Sequence, residues 1–113
     1  MSEIKKRSTI SLEIGLDEAS VPTVIKWKSD DKPENEFTEA KAFLLSIFDK
    51  EYKDTLKIDL WTKEFQVDEM DRMMYYTMKG LADSYYKATK NQNLANEMQK
   101  FIQYFGERTK IIE

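Results

Sequence analysis

Residues 55–76 read TLKIDLWTKEFQVDEMDRMMYY, and the hydrophobic period changes within them. In the first part of the stretch apolar and polar side chains alternate, as in a β-strand with one buried face. From Val67 onwards apolar residues recur every three or four positions, as in an amphipathic helix. Asp68 is its predicted N-cap, with Asp71 at position N3, and the helix should run to about Thr89. The stretch therefore predicts a strand, a turn and a long helix.

Upstream, two alternating segments predict a β-hairpin. Residues 8–16 and 24–28 both have period two, and they are separated by an irregular loop that contains Pro22. In the second segment Ile25 and Trp27 should point inwards, because successive strand residues point to opposite faces.

Two further segments have a helical period. The apolar residues of 37–48 fall within one stripe about 140° wide, which predicts a helix ending near residues 49–51. Asn35 or Thr38 is its predicted cap, and the sequence leaves both open. A last helix is predicted from Leu94 to residue 105, with Gly106 as its C-cap.

These elements predict an α+β fold in the order β-β-α-β-α-α. Its core would be a three-stranded antiparallel or mixed sheet with three helices covering one face. A length of 113 residues predicts a single domain, residues 1–113, with an ordered core at about residues 8–106.

Composition excludes several kinds of chemistry. The chain has no cysteine and no histidine, so it has no disulfide, no thiolate nucleophile, no Cys/His zinc site and no Ser-His-Asp triad. We therefore expect a protein that is not an enzyme, with no catalytic residues, metal site or cofactor. Glu13 and Asp59 dilute the basic residues, and the formal net charge is −3, so no nucleic-acid partner is predicted. Without a long apolar run, direct membrane insertion is not expected, and the predicted location is the cytoplasm.

Three aromatic residues are candidate contact residues. The mostly apolar arc of the long helix covers roughly 200°, more than packing on one side requires. The helix is either a central element packed on the sheet and the last helix, or its Tyr75 and Tyr86 face a second subunit or a partner. Trp61 lies among charged residues at a strand end, where it either covers the edge of a small core or anchors a partner.

Several sequence blocks resemble one family, the gliding-motility protein GldC family of Bacteroidetes-type bacteria. The most specific block is residues 55–70, TLKIDLWTKEFQVDEM. Shorter blocks spread the resemblance over roughly residues 8–106: Ile14-Gly-Leu-Asp-Glu, Val21-Pro, Ile25-Lys-Trp, Leu81-Ala-Asp, Ala88-Thr, Met98-Gln-Lys-Phe and Tyr104-Phe.

The resemblance implies a small accessory or adaptor protein linked to gliding motility, without catalytic residues that could be transferred to this chain. We accordingly expect it to act through protein–protein contacts with partners in the gliding machinery. The expectation of a homodimer comes separately, from the wide apolar arc and the tyrosines of the long helix. The alternative is a small-ligand or peptide-binding module, with a pocket between the methionine-rich helix and the sheet.

Overall fold

A computed structural model of the chain describes residues 3–33 and 36–113. Within these residues five strands precede two helices: β1 (Ile10–Leu16), β2 (Pro22–Ser29), β3 (Thr38–Ala40), β4 (Ala42–Phe48), β5 (Thr55–Trp61), α1 (Val67–Thr89) and α2 (Gln92–Arg108). The chain divides into two compact units, which we call the strand unit, residues 1–65, and the helical unit, residues 66–113. The expectation of a single domain stays a prediction.

The predicted N-terminal hairpin is confirmed. β1 and β2 pair antiparallel, with Leu12 opposite Trp27 and Ile14 opposite Ile25. Because directly opposed residues point to the same side of a sheet, these four side chains share one apolar face. Ile25 is fully buried, so the centre of the strand unit lies on this face.

One carboxylate organises the loop between β1 and β2. The side chain of Asp17 accepts hydrogen bonds from the backbone N–H groups of Ala19 at 2.9 Å and Val21 at 3.0 Å. Lys63 donates to the same carboxylate at 3.1 Å. The Val21 N–H bond first, and then the Lys63 bond, lower the pKa of Asp17 below its usual value, because both favour the charged form. The irregular loop is thus an ordered turn.

The helix predicted over residues 37–48 is wrong, because this segment forms strands. β3 pairs antiparallel with β2, and Thr38 begins this strand instead of capping a helix. The other predicted cap, Asn35, lies outside the described residues. β4 pairs antiparallel with β5 over its full length, from Ala42 opposite Trp61 to Phe48 opposite Thr55.

The physical reason for this error is that the apolar run satisfies two periods at once. Phe43, Leu45 and Ile47 alternate along β4, although a helical stripe can also be drawn through the same segment. In the strand these three residues lie opposite Leu60, Ile58 and Leu56 respectively. Phenylalanine and isoleucine suit strands, and cross-strand apolar pairs stabilise the extended form. A complementary segment elsewhere in the chain therefore decides the conformation.

The predicted number and arrangement of strands and helices is therefore wrong, although the α+β class is correct. Among the described residues the order is five strands and then two helices, where three strands and three helices were predicted. These strands form a three-stranded sheet in the order β1-β2-β3 and a separate two-stranded sheet, β4-β5. β5 forms where predicted, but it pairs with β4 instead of joining β1 and β2.

The long helix is confirmed, although it begins slightly earlier than predicted. Gln66 is the N-cap of α1, where Asp68 was expected, and its backbone N–H donates to the Glu69 carboxylate at 3.0 Å. At the other end Lys90 adopts the left-handed conformation with φ of 60°. Asn91 then caps α2, and its side chain accepts from the backbone N–H of Leu94 at 3.1 Å. The two helices therefore follow one another almost directly.

The last helix continues past Gly106, so the predicted C-cap is wrong. α2 ends at Arg108, with Thr109 as its C-cap. A Cβ atom on Gly106 would lie 2.6 Å from Cε1 of Tyr75 and 2.8 Å from Cγ1 of Ile112. Glycine is present at this position because it leaves room for these two side chains, and no left-handed backbone is involved.

Candidate functional site

The helical unit has a closed seam where α1 meets α2. We use this name for Tyr75 and Ala82 of α1 together with Ala95, Ile102 and Gly106 of α2, all of which are buried. Small residues supply three of the five positions, so the helices can approach closely and enclose the tyrosine ring. The seam is the hydrophobic core of this unit, and Met78 and Met98 pack against it from one side.

Beside the seam lies an apolar groove of about 230 Å³. Met78, Leu81, Met98 and Phe101 line it, with buried Ile102 also contributing. Leu94 belongs to the same side, because it precedes Phe101 by seven residues, or almost two helical turns. We call the surface formed by these residues other than Ile102 the open apolar face: Met78, Leu81, Leu94, Met98 and Phe101.

The other side of the seam is polar. A second groove of about 270 Å³ is bordered by charged and amide side chains, namely Lys79, Asp83, Gln99 and Gln103, beside seam residues. Gln103 follows Phe101 by two residues, a rotation of about 200° around the helix, so these two side chains point in opposite directions. The helical unit is thus amphipathic as a whole, with one apolar side and one polar side.

The two tyrosines proposed as contact residues lie in different environments. Tyr75 is only 5% exposed and belongs to the closed seam. Tyr86 is 37% exposed, and the Lys90 ammonium lies 5.4 Å from the centre of its ring. Tyr86 follows Leu81 by five residues, about 140° around α1, and so lies outside the open apolar face. A contact role for these tyrosines stays a prediction, and Tyr75 presents almost no surface for one.

Trp61 occupies the end of β5 in the strand unit and is 48% exposed. It shares a face of the β4–β5 hairpin with Asp59, two residues earlier, and with Phe48, which is also exposed. Lys57 forms an ion pair with Asp59 at 2.7 Å. The hydrogen bond from this lysine, followed by its charge, lowers the pKa of Asp59. The tryptophan therefore lies beside charged groups at a sheet end, as predicted, with half its surface free for a contact.

Sequence reasoning missed the exposed part of α2, Leu94 and Phe101. The signal is present as their seven-residue spacing, but the predicted fold uses this helix to cover one face of the sheet, which would bury its apolar stripe. Two helices alone bury only the stripe along their line of contact, so apolar residues to one side stay exposed. Methionines do line a groove, here between α1 and α2. The predicted ligand pocket between the long helix and the sheet stays a prediction.

The described residues offer neither a metal-binding cluster nor a membrane-spanning helix. In residues 3–33 and 36–113 no cluster of three or more acidic, histidine or cysteine side chains could hold a metal ion. In the same part of the chain neither helix combines the length and apolarity that crossing a membrane requires.

Comparison with known proteins places the chain in a family. No match was found among curated proteins or among solved structures. A family model described as gliding motility-associated protein GldC-like matches residues 22–111 of the 113-residue chain. The match includes the block 55–70, on which the resemblance chiefly depends, and covers well over half of the sequence. The chain therefore belongs to the GldC-like family of gliding motility-associated proteins.

Proposed function

We propose that this protein is an accessory protein of the gliding machinery that acts by binding protein through the open apolar face of its helical unit. Family membership links the chain to gliding motility. The observation that carries the binding mode is the exposure of Leu81 and Phe101 along one groove, with exposed Leu94 on the same side of α2. Contiguous exposed apolar surface of this kind commonly marks a site of protein interaction.

The hydrophobic effect gives this face its capacity for binding. Removing apolar area from water stabilises a complex by roughly 25 cal/mol per Å². The groove holds Met78 and Met98, whose unbranched side chains adapt to the shape of a partner. Phe101 lies at its margin, with the Tyr104 and Phe105 rings 6.2 Å and 6.3 Å from its own. Aromatic residues, phenylalanine among them, are enriched at protein interfaces, so Phe101 is the residue to test.

The test is complementation of gliding in cells that lack their own copy of the gene. Phe101→Glu places a charge in the groove and should abolish gliding at unchanged protein level, because a desolvated and unpaired carboxylate opposes binding. Gln103→Glu adds the same charge on the polar side of the same helix and should leave gliding intact. Normal gliding of cells that carry Phe101→Glu would contradict the proposed role of this face. We also propose that the protein is cytoplasmic, which fractionation of the same cells would test.

A second contact is proposed at Trp61, supported by the half-exposed indole at the end of β5. If Trp61 anchors a partner, Trp61→Ala should weaken capture of gliding-machinery components from native cells and leave the melting temperature nearly unchanged. Phe48→Ala is the matched control on the same face of the hairpin. A large fall in melting temperature for Trp61→Ala would instead assign the indole to covering the edge of the sheet.

A further inference from the structure

We infer that the open apolar face binds a second copy of this chain, so that two helical units form a four-helix bundle. The inference rests on the proposed function, since it names the partner of the same surface. Three properties of the helical unit support it: the area of the face, its construction from two adjacent helices, and the charge of the unit.

The area available matches what a stable dimer requires. Leu81, Leu94 and Phe101 are 55%, 51% and 54% exposed, and Met78 and Met98 are half-buried beside them. Met74 and Phe105, also half-buried, continue this side along α1 and α2, because they lie seven residues from Leu81 and four from Phe101. Together these side chains offer roughly 500 Å² of apolar surface, if each presents in full about 150–250 Å², the range for an aromatic side chain. A standard interface buries about 800 Å² on each partner, of which roughly 56–65% is non-polar. One open apolar face thus supplies the non-polar share of such an interface.

The shape of the face suits a copy of itself. Residues from α1 and α2 contribute side by side, and the helices are joined directly through Lys90 and Asn91. Two such hairpins related by a twofold axis enclose one common core, because each helix then contacts neighbours on two sides. The groove between Met78 and Met98 can accept a projecting side chain of the other copy, such as Phe101.

The charge of the helical unit also permits self-association. Residues 66–113 contain seven acidic and seven basic side chains, so this unit has no formal net charge, and the −3 of the chain resides in residues 1–65. Two identical surfaces with a large net charge would repel each other, and here that opposing term is absent. On α2, Glu97 and Lys100 form an ion pair with each other at 2.6 Å. Neither of them therefore brings an unpaired charge to an interface between two copies.

The first experiment measures the mass of the full-length protein in solution. Light scattering or sedimentation equilibrium should give twice the 13.4 kDa of one chain at micromolar concentration. Phe101→Glu should shift the protein to monomer, with a dissociation constant at least 100-fold higher, and keep its helical circular dichroism. Gln103→Glu should remain dimeric. A wild-type protein that stays monomeric up to millimolar concentration would overturn the inference and leave the face to a different protein.

The second experiment uses the absence of cysteine, which makes single-cysteine variants simple to interpret. Leu94→Cys should be cross-linked into dimers by a short bismaleimide at low protein concentration. Gln103→Cys, on the polar side, should not be. Equal cross-linking of the two variants would overturn the assignment of the interface to the open apolar face.

The inference and the proposed function can fail separately. If the wild type is monomeric but Phe101→Glu abolishes gliding, the second copy is excluded and the protein-binding role of the face stands. If the wild type is dimeric, and cells that carry the monomeric Phe101→Glu variant glide normally, the dimer is supported and the proposed function fails.

Discussion

The closed seam and the open apolar face of the helical unit are made of similar residues but differ in what covers them. In the seam Tyr75 and Ile102 lie against alanine and glycine, and both are buried. On the open apolar face Leu81 and Phe101 project from the same two helices and remain half exposed. The difference shows that residue size along the contact line decides which apolar residues a helix pair encloses. Large side chains to one side of the line stay available for a partner.

The largest expected effect on stability comes from truncating a buried side chain of the seam. Ile102→Ala should lower the free energy of unfolding of the helical unit by about 3 kcal/mol, because buried isoleucine truncations cost 2–5 kcal/mol through lost burial and a cavity. Leu94→Ala, on the open apolar face, should cost less than about 1 kcal/mol in a dilute monomeric sample, since half its surface is already exposed. Urea unfolding followed by helical circular dichroism measures both. Equal losses for the two variants would mean that the face is as well covered as the seam.

A smaller loss of stability is expected from adding one methyl group to the seam. Gly106→Ala should destabilise by about 1–3 kcal/mol, because the new Cβ would lie within 3 Å of the Tyr75 and Ile112 side chains. The gain in helix propensity from replacing glycine offsets only part of this. An unchanged melting temperature would show that Tyr75 can move aside, and that close packing at Gly106 does not hold the seam together.

The smallest effect has the opposite sign. A Cβ on Gly80 of α1 would find nothing within 4 Å, and this residue is exposed. Gly80→Ala should therefore stabilise the helical unit by up to about 1 kcal/mol, since glycine costs that much relative to alanine inside a helix. Thermal unfolding of the Gly80 and Gly106 variants side by side compares the same substitution in both settings. Destabilisation by Gly80→Ala would indicate that another chain or segment packs against α1 at this point.

Much of the secondary structure could be predicted because its signals are local. The alternation in residues 8–16, 24–28 and 55–61 identified β1, β2 and β5, and the period change near Val67 identified α1. The segment 37–48 could not be assigned in this way, because its apolar run fits a strand and a helix equally well. Only the pairing of β4 with β5 separates the two, and pairing is a non-local property.

The candidate site was harder to predict than the fold. Tyr75 belongs to an apolar arc too wide for one contact, and the sequence leaves open which part of that arc meets α2. Gly106 lets α2 pack closely against Tyr75, which buries the tyrosine, whereas Phe101 of the same helix stays exposed. Trp61, by contrast, could be located from sequence, because its position in the alternation of β5 and its charged neighbours already describe its setting.

By itself the sequence determined the N-terminal hairpin, the strand that ends at Trp61, the long helix after it and the likeness to the GldC-like family. Hydrophobic period, turn residues and a specific block of residues are all local properties, and they need no knowledge of the fold. The tertiary structure alone decided that residues 42–48 are a strand, and which aromatic side chains of the helical unit are buried. These outcomes depend on which residues lie opposite a segment: Leu56 to Leu60 for β4, and Gly106 for Tyr75. The hydrophobic period of a single segment does not contain that information.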